Sequence, residues 1–264
     1  MAFYPDEATP IFVVGRQRAG TRFLTNALNR FPEICIQGEI PSPVAKVMQD
    51  FFTRVDRYYE NLENIYNPSW VGKQRYEKWS SRKQHLMFVL FANINQSFQL
   101  SADKNSCKYF GYKTPKHEFH FDYYVEFFQD NVPIFLYCIR NFVDNYLSVN
   151  SRWPQKNIEF VANEYVESIE QYQYMKKSYP DNVLLFNLDD FLKHGVNYLS
   201  ENIFDSLDIE QTAPIIEEIR KMGPVNTLEE IGIDRRRALT GEEINYLKSR
   251  PELEKLHDDV CILS

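Results

Sequence analysis

The chain has 264 residues, 44% of them hydrophobic and 25% charged, with a formal net charge of −7. That balance suits a soluble globular protein of one large or two small domains with a full core. It argues against a general nucleic-acid binder, which carries a basic surplus, so any bound anion must be met by a few placed cations. Residues 11–14 read as a short apolar strand, and 21–31 as a helix with Phe23, Leu24, Ala27, Leu28 and Phe31 on one face and Pro32 beyond it. Residues 42–106 are mainly helical by period and rich in aromatics, including Phe51, Phe52, Tyr58, Tyr59, Trp70 and Trp79. No linker-like composition brackets them, so they form an insertion within a single domain spanning 1–264. Residues 132–139, VPIFLYCI, are a continuous apolar run suited to a strand buried on both faces. A helix follows over 142–152 and stops at Pro154. A long polar helix over 158–179 leads to another buried strand at 182–188, and a last helix is expected over 241–256. Strands alternating with helices imply an α/β fold with a parallel central sheet between helical layers. Ligands of such sheets gather beyond the carboxyl ends of the strands.

Two segments at those ends bear on chemistry. In GRQRAGTR, Gly15 and Gly20 bound a turn from strand into helix, which aims backbone N–H groups and a helix dipole at one anion. A nucleotide triphosphatase loop reads GxxxxGK[ST], but Thr21 stands where its lysine belongs, and the positive charges sit at Arg16, Arg18 and Arg22. Arg18 can grip an oxyanion from inside the loop without a metal; an ordinary tight turn with solvated arginines is the plainer reading. In CIRNFVDNYLSVNSRW, Arg140 ends a buried strand, and Ser148 and Arg152 share a helical face. These three can surround a phosphate; alternatively Arg140 pairs with a carboxylate and Ser148 faces solvent.

Together the segments resemble the sulfotransferase family. Gly15–Arg22 is similar to its 5′-phosphosulfate loop, and Arg140 with Ser148 eight residues later to its 3′-phosphate motif. Lys113-Thr114-Pro115 resembles the KTP element of tyrosylprotein and many bacterial sulfotransferases, and Gly38-Glu39 the GE element of that branch. The resemblance covers roughly residues 11–41 and 108–152. It implies a three-layer P-loop NTPase-like fold and a donor, 3′-phosphoadenosine 5′-phosphosulfate (PAPS), whose sulfonate moves to an acceptor hydroxyl or amine without Mg²⁺. Arg16, Gln17, Arg18, Ala19, Gly20, Thr21 and Arg22 would hold the phosphosulfate, and Arg140, Ser148 and Arg152 the 3′-phosphate. Glu39 is the candidate base, expected in a partly apolar cleft, with Lys113 and Arg18 stabilising developing charge. Ala19 and Arg22 replace the usual serine and second threonine. Later matches are weaker: Leu188 occupies the tyrosine position of a YExL-like turn, and Gly223 stands near a family lysine, with Lys221 two residues before it. Arg235, Arg236 and Arg237 resemble a late basic loop that closes over a phosphate in that family; a solvated charged face is the plainer reading.

His117 and His120 are three residues apart, not the four of a zincin helix, and no third ligand lies nearby, so no metal is expected; His117 is the reserve base. Cys35, Cys107, Cys138 and Cys261 show no metal-ligand spacing and demand no oxidising compartment. The opening MAFYPDEATP lacks the basic and apolar regions of a secretory leader, and no apolar run reaches about 18 residues. A cytoplasmic protein acting on a small-molecule or carbohydrate acceptor, with no membrane span and no nucleic acid, is the expectation, and acceptor choice is expected to map to 42–106. A P-loop kinase using ATP and a non-catalytic nucleotide-binding protein are the competing readings; the missing lysine counts against the first.

Overall fold

A computed structural model describes residues 8–40, 42–66, 79, 82–83, 86–87, 90, 107–128, 131–223 and 237–262. Its centre is a parallel sheet of β1 (Thr9–Gly15), β2 (Ile34–Gln37), β3 (Tyr109–Lys113), β4 (Ile134–Ile139) and β5 (Val183–Asn187), in the order β2-β3-β1-β4-β5. Strand β1 lies in the middle, with Gly15 opposite Cys138 of β4 and Val13 opposite Lys113 of β3. That register brings the carboxyl ends of three strands level at one place. Alternate side chains feed two cores. Phe12 and Val14 enter one core with Tyr112, Phe135 and Tyr137, while Ile11 and Val13 enter the other with Leu136 and Cys138.

Helix α1 (Thr21–Leu28) covers the second core, and α2 (Ser42–Tyr66) opens the insertion. A 3₁₀ turn (His117–His120) and α3 (Phe121–Phe127) follow β3; α4 (Phe142–Arg152) and α5 (Ile158–Ser178) follow β4. Asn141 caps α4 by accepting from Asp144 N at 2.9 Å, and Asn157 caps α5 by accepting from Phe160 N at 2.8 Å. After β5 come α6 (Leu188–His194), α7 (Val196–Leu199), a π turn (Ser200–Phe204), α8 (Ala213–Lys221), α9 (Gly241–Ser249) and α10 (Glu252–Ile262).

Three expectations change in detail. The first helix stops at Leu28 rather than 31, and the tail is two helices because Pro251 cannot continue α9. Strands β2 and β3 were not anticipated, being only four and five residues long. Most of the aromatic insertion beyond Tyr66 lies outside the described residues. Within it, Phe52 packs on Phe127 of α3 (4.9 Å between centroids) and Trp79 stacks on Tyr59 (5.5 Å), so these rings fill core.

His117 is also core. It is 1% exposed, its Nδ1 lies 2.9 Å from the Tyr112 hydroxyl, and burial followed by the neighbouring His120 lowers its pKa to about 3. Such a ring is a feeble base, and its burial removes it from the reserve role. The unfolded chain takes up this proton near pH 6.5 and the folded chain only near 3. The stabilisation is therefore complete above pH 6.5 and is lost as pH falls, by about 1.4 kcal/mol per unit. Denaturant titrations from pH 6.5 to 5 should show His117→Gln with a stability slope shallower than wild type by about that amount; equal slopes would contradict a neutral buried ring. Gly111 is a second constraint, since a Cβ there would lie 1.6 Å from the Ile11 carbonyl oxygen. Gly111→Ala should force β1 and β3 apart and cost at least about 2 kcal/mol, read as a lower denaturation midpoint.

Candidate active site

The turn between β1 and α1 is built from left-handed backbone. Gly15 (φ 102°), Arg18 (φ 66°) and Gly20 (φ 85°) all adopt it. Gly15 has a steric reason as well, because a Cβ would lie 2.4 Å from the Cys138 carbonyl oxygen. Gly20 precedes α1 and offers no side chain to cap it. The first-turn N–H groups of a helix have no intrahelical partner, so this end of α1 suits an oxyanion. Thr21 is buried at this first turn, Ala19 is fully buried against the second core, and Arg22 is exposed.

The arginines of the loop divide their work. Arg16, expected on the donor, is 1% exposed and turns its guanidinium to α5: Nη1 donates to the Glu164 carbonyl (3.0 Å) and Nη2 pairs with Glu164 Oε2 (3.3 Å). Its backbone N–H donates to Cys138 O (3.2 Å). Arg16 is thus a structural anchor of the loop. Arg18 instead reaches α4, donating from Nε to Ser148 Oγ at 2.9 Å. Beside it, Asn145 Nδ2 donates to the Gln17 carbonyl at 2.7 Å. Both predicted anion motifs therefore meet side by side.

Arg140 and Ser148 are 7% and 3% exposed, so Ser148 does not face solvent. Arg140 Nη2 pairs with Asp144 Oδ2, one turn along α4, at 3.2 Å. The carboxylate anticipated by the plainer reading is present, and it lies within the same motif. Arg152 is exposed, with its guanidinium 5.1 Å from the Trp153 ring centroid.

On the other side of β1, Lys113 and Glu39 form an ion pair. The lysine side chain is 9% exposed and the glutamate 60%. Glu39 thus lies at the surface and not in the partly apolar cleft expected for it. Thr114 Oγ1 accepts from Ile40 N at 2.8 Å and stitches the KTP turn to the GE segment. Two single motifs thereby become one unit.

Sequence reasoning missed the carboxylates beneath the loop. Glu118 is fully buried; Oε2 accepts from Gly15 N (3.0 Å) and Oε1 from the Ser168 hydroxyl (2.5 Å). Burial raises its pKa, against the pull of Ser168, of backbone N–H groups and of Arg16. Glu164 gathers Arg16, Lys116 and Lys156. No local signal marks Glu164, since its arginine lies 148 residues earlier; Glu118 follows the KTP element by three residues and sits between His117 and His120.

Of the late candidates, Arg237 is committed to Glu243, the Tyr146 hydroxyl (2.7 Å) and Asn150 Oδ1 (2.7 Å). Lys221 pairs with Glu217 at 3.4 Å. Arg235 and Arg236 lie outside the described residues. Among the described residues no group of three His, Cys, Asp or Glu side chains is placed to hold a metal, and no helix is long and apolar enough to cross a membrane.

The sequence profile of the sulfotransferase family matches residues 10–204. No curated protein sequence matches the chain. Among solved structures, the sulfotransferase domain of the Synechococcus PCC 7002 olefin synthase is similar at TM-score 0.50 and 12% identity, over 89% of this chain and 89% of that one. Sulfotransferase STF9 from Mycobacterium avium is similar at TM-score 0.49 and 14% identity, over 92% of this chain and 77% of that one. The likeness to the olefin synthase domain is one of fold: a parallel sheet of P-loop type flanked by helices. With the matched profile extending from β1 to the π turn, the chain belongs to the sulfotransferase family.

Proposed function

We propose that the protein transfers a sulfonate group from PAPS to a hydroxyl or amine of a small-molecule or carbohydrate acceptor. The observation that supports this best is the Arg18–Ser148 hydrogen bond. A donor with a phosphosulfate at one end and a 3′-phosphate at the other needs two anion sites on one cleft wall, and here the two motifs touch. The loop residues fit such a group: Gly15 leaves no room for a Cβ, and α1 begins without a side-chain cap. When bound, PAPS supplies the sulfonate that the acceptor takes, and adenosine 3′,5′-bisphosphate is left.

Backbone N–H groups around residues 17–21, with Arg18, hold the 5′ end; Arg140 and Ser148 hold the 3′-phosphate. Fixed donors of this kind stabilise developing charge without reorganising at the moment of reaction. Lys113, held by the protein at the end of β3, neutralises the group in transfer. Glu39 accepts the proton that the acceptor loses. The Asp144 carboxylate on Arg140 yields that arginine to the 3′-phosphate when the donor binds. Arg235 and Arg236 complete this reading as cations that close over the donor.

Titration should show tight binding of adenosine 3′,5′-bisphosphate and little of ATP–Mg²⁺; the opposite preference would support a kinase. Removing a charged partner from a desolvated phosphate costs about 2–5 kcal/mol. Arg140→Ala should therefore weaken bisphosphate binding by orders of magnitude, and Ser148→Ala by much less. Near-wild-type affinity in Arg140→Ala would place the 3′-phosphate elsewhere.

Glu39→Gln separates binding from chemistry. The amide keeps an oxygen for Lys113 but cannot accept a proton. A general base contributes about 10²–10⁴-fold, so sulfonyl transfer should fall at least a hundredfold while bisphosphate affinity is held or slightly improved. Transfer persisting within a few-fold would remove Glu39 as the base.

A further inference from the structure

Glu164 sits among three cations. Its Oε1 pairs with Lys116, its Oε2 lies 3.3 Å from Arg16 Nη2 and 3.8 Å from Lys156 Nζ, and its carbonyl accepts from Arg16 Nη1 at 3.0 Å. Among the described residues no other carboxylate pairs with Lys116 or Lys156. The group carries a formal surplus of two positive charges, and still one if the buried Glu118, which Arg16 also stabilises, is counted as ionised. Arg16 Nε is buried without a hydrogen-bond partner. The cluster opens outward through its lysines, whose side chains are 29% (Lys116) and 21% (Lys156) exposed, against 1% for Arg16.

Two further features point to a ligand. Lys156 Nζ is 5.6 Å from the Trp153 ring centroid and 5.3 Å from that of Phe160, whose side chain is 48% exposed. Helix α5, 21 residues long, begins at Ile158 just after Lys156, so the positive end of its dipole adds to the surplus, with Glu159 the acidic residue of its first turn. Burial, with the like charges of Lys116 and Arg16 and against the pull of Glu164, lowers the pKa of Lys156. A second anion would relieve that crowding. The cluster also adjoins the donor loop, because Arg16 follows Gly15 and the Lys116 N–H donates to the Gly15 carbonyl at 2.9 Å.

We propose that Lys116 and Lys156, backed by Arg16, form an oxyanion subsite beside the donor loop that receives a carboxylate or sulfate already carried by the acceptor. The acceptor class is then an acidic one, such as a uronic or sulfated sugar, with its apolar face on Phe160 and Trp153. This rests on the sulfotransferase reading above.

The test uses the whole chain as wild type, Lys116→Gln, Lys156→Gln and Lys156→Arg. Inorganic sulfate is titrated by calorimetry onto protein saturated with adenosine 3′,5′-bisphosphate, and transfer from PAPS to glucuronate and to glucose is compared. Each Gln variant should weaken sulfate binding about tenfold, as expected for loss of a charge-assisted hydrogen bond, and Lys156→Arg should retain it. The ratio of kcat/KM for glucuronate over glucose should fall about tenfold in the Gln variants, with bisphosphate affinity within twofold of wild type. Unchanged sulfate affinity and an unchanged ratio overturn the subsite. So does a parallel fall in bisphosphate affinity, which would assign these lysines to the donor. If the protein binds no bisphosphate, the functional reading fails instead, and sulfate titration of the protein alone still reads the subsite as the binding that the Gln variants lose.

Discussion

Gly15 has both of its backbone polar groups claimed by the segment that follows β3. Its N–H donates to the buried Glu118 carboxylate, and its carbonyl accepts from the Lys116 N–H. The next N–H along, that of Arg16, goes to Cys138 at the end of β4. A loop that must present N–H groups to an anion cannot let its first residues wander, and here three strands fix them. The arrangement requires glycine at position 15, and it requires a fully buried carboxyl, Glu118, kept in place by a second donor from Ser168. A buried polar group is costly unless partnered, and the observed partners meet that condition. Since Lys113 ends β3, just before that segment, the loop and the proposed transfer machinery share one rigid base.

Charge is organised in the same economical way. A chain of net charge −7 can hold anions only where cations converge, and three cations of the proposed cleft are each paired with a carboxylate or hydroxyl. Arg18 is aligned by Ser148, Arg140 by Asp144 and Lys113 by Glu39. Such pairing restrains long side chains before a ligand arrives and reduces the ordering that binding must later impose. Its cost is competition, since in the proposed site Asp144 would oppose a phosphate at Arg140. Serine at 148 carries no charge and opposes nothing, which suits a residue placed between the two proposed anion sites.

The legible part of the molecule was the part with short-range signals. Buried strands β1, β4 and β5 announce themselves as unbroken apolar runs, and the loop between Gly15 and Gly20 as a turn that only certain residues can make. Strands β2 and β3 did not. At four and five residues, and with Gln37, Gly111 and Lys113 among them, they carry little strand pattern. The site divides along the same line. That the Gly15–Arg22 loop and the Arg140–Ser148 motif both lie beyond strand ends was readable from spacing and family likeness, but the direct contact of Arg18 with Ser148, 130 residues apart in sequence, was not. Arg16 shows the limit from the other side. An arginine inside an anion loop reads as a ligand, yet its guanidinium turns to Glu164, which only the packing of α5 brings near.

The Lys113–Glu39 pair is unequal, and the inequality bears on the proposed chemistry. Lys113 is nearly buried at the end of β3, whereas Glu39 is mostly exposed beyond β2. The protein therefore sets the lysine, and the lysine sets the glutamate. An acceptor entering from solvent would, in the proposed reaction, meet the carboxylate before the lysine. In the proposed reaction the two groups need opposite partners at the same moment: the lysine an oxygen gaining negative charge, the carboxylate a proton. While paired they neutralise one another, which keeps the cleft free of an unpartnered buried cation. As the lysine turns to the transferring group, the glutamate loses its counter-charge just when a proton becomes available. In the proposed reaction, coupling through this one ion pair would tie proton removal to donor engagement, without a third residue to coordinate them.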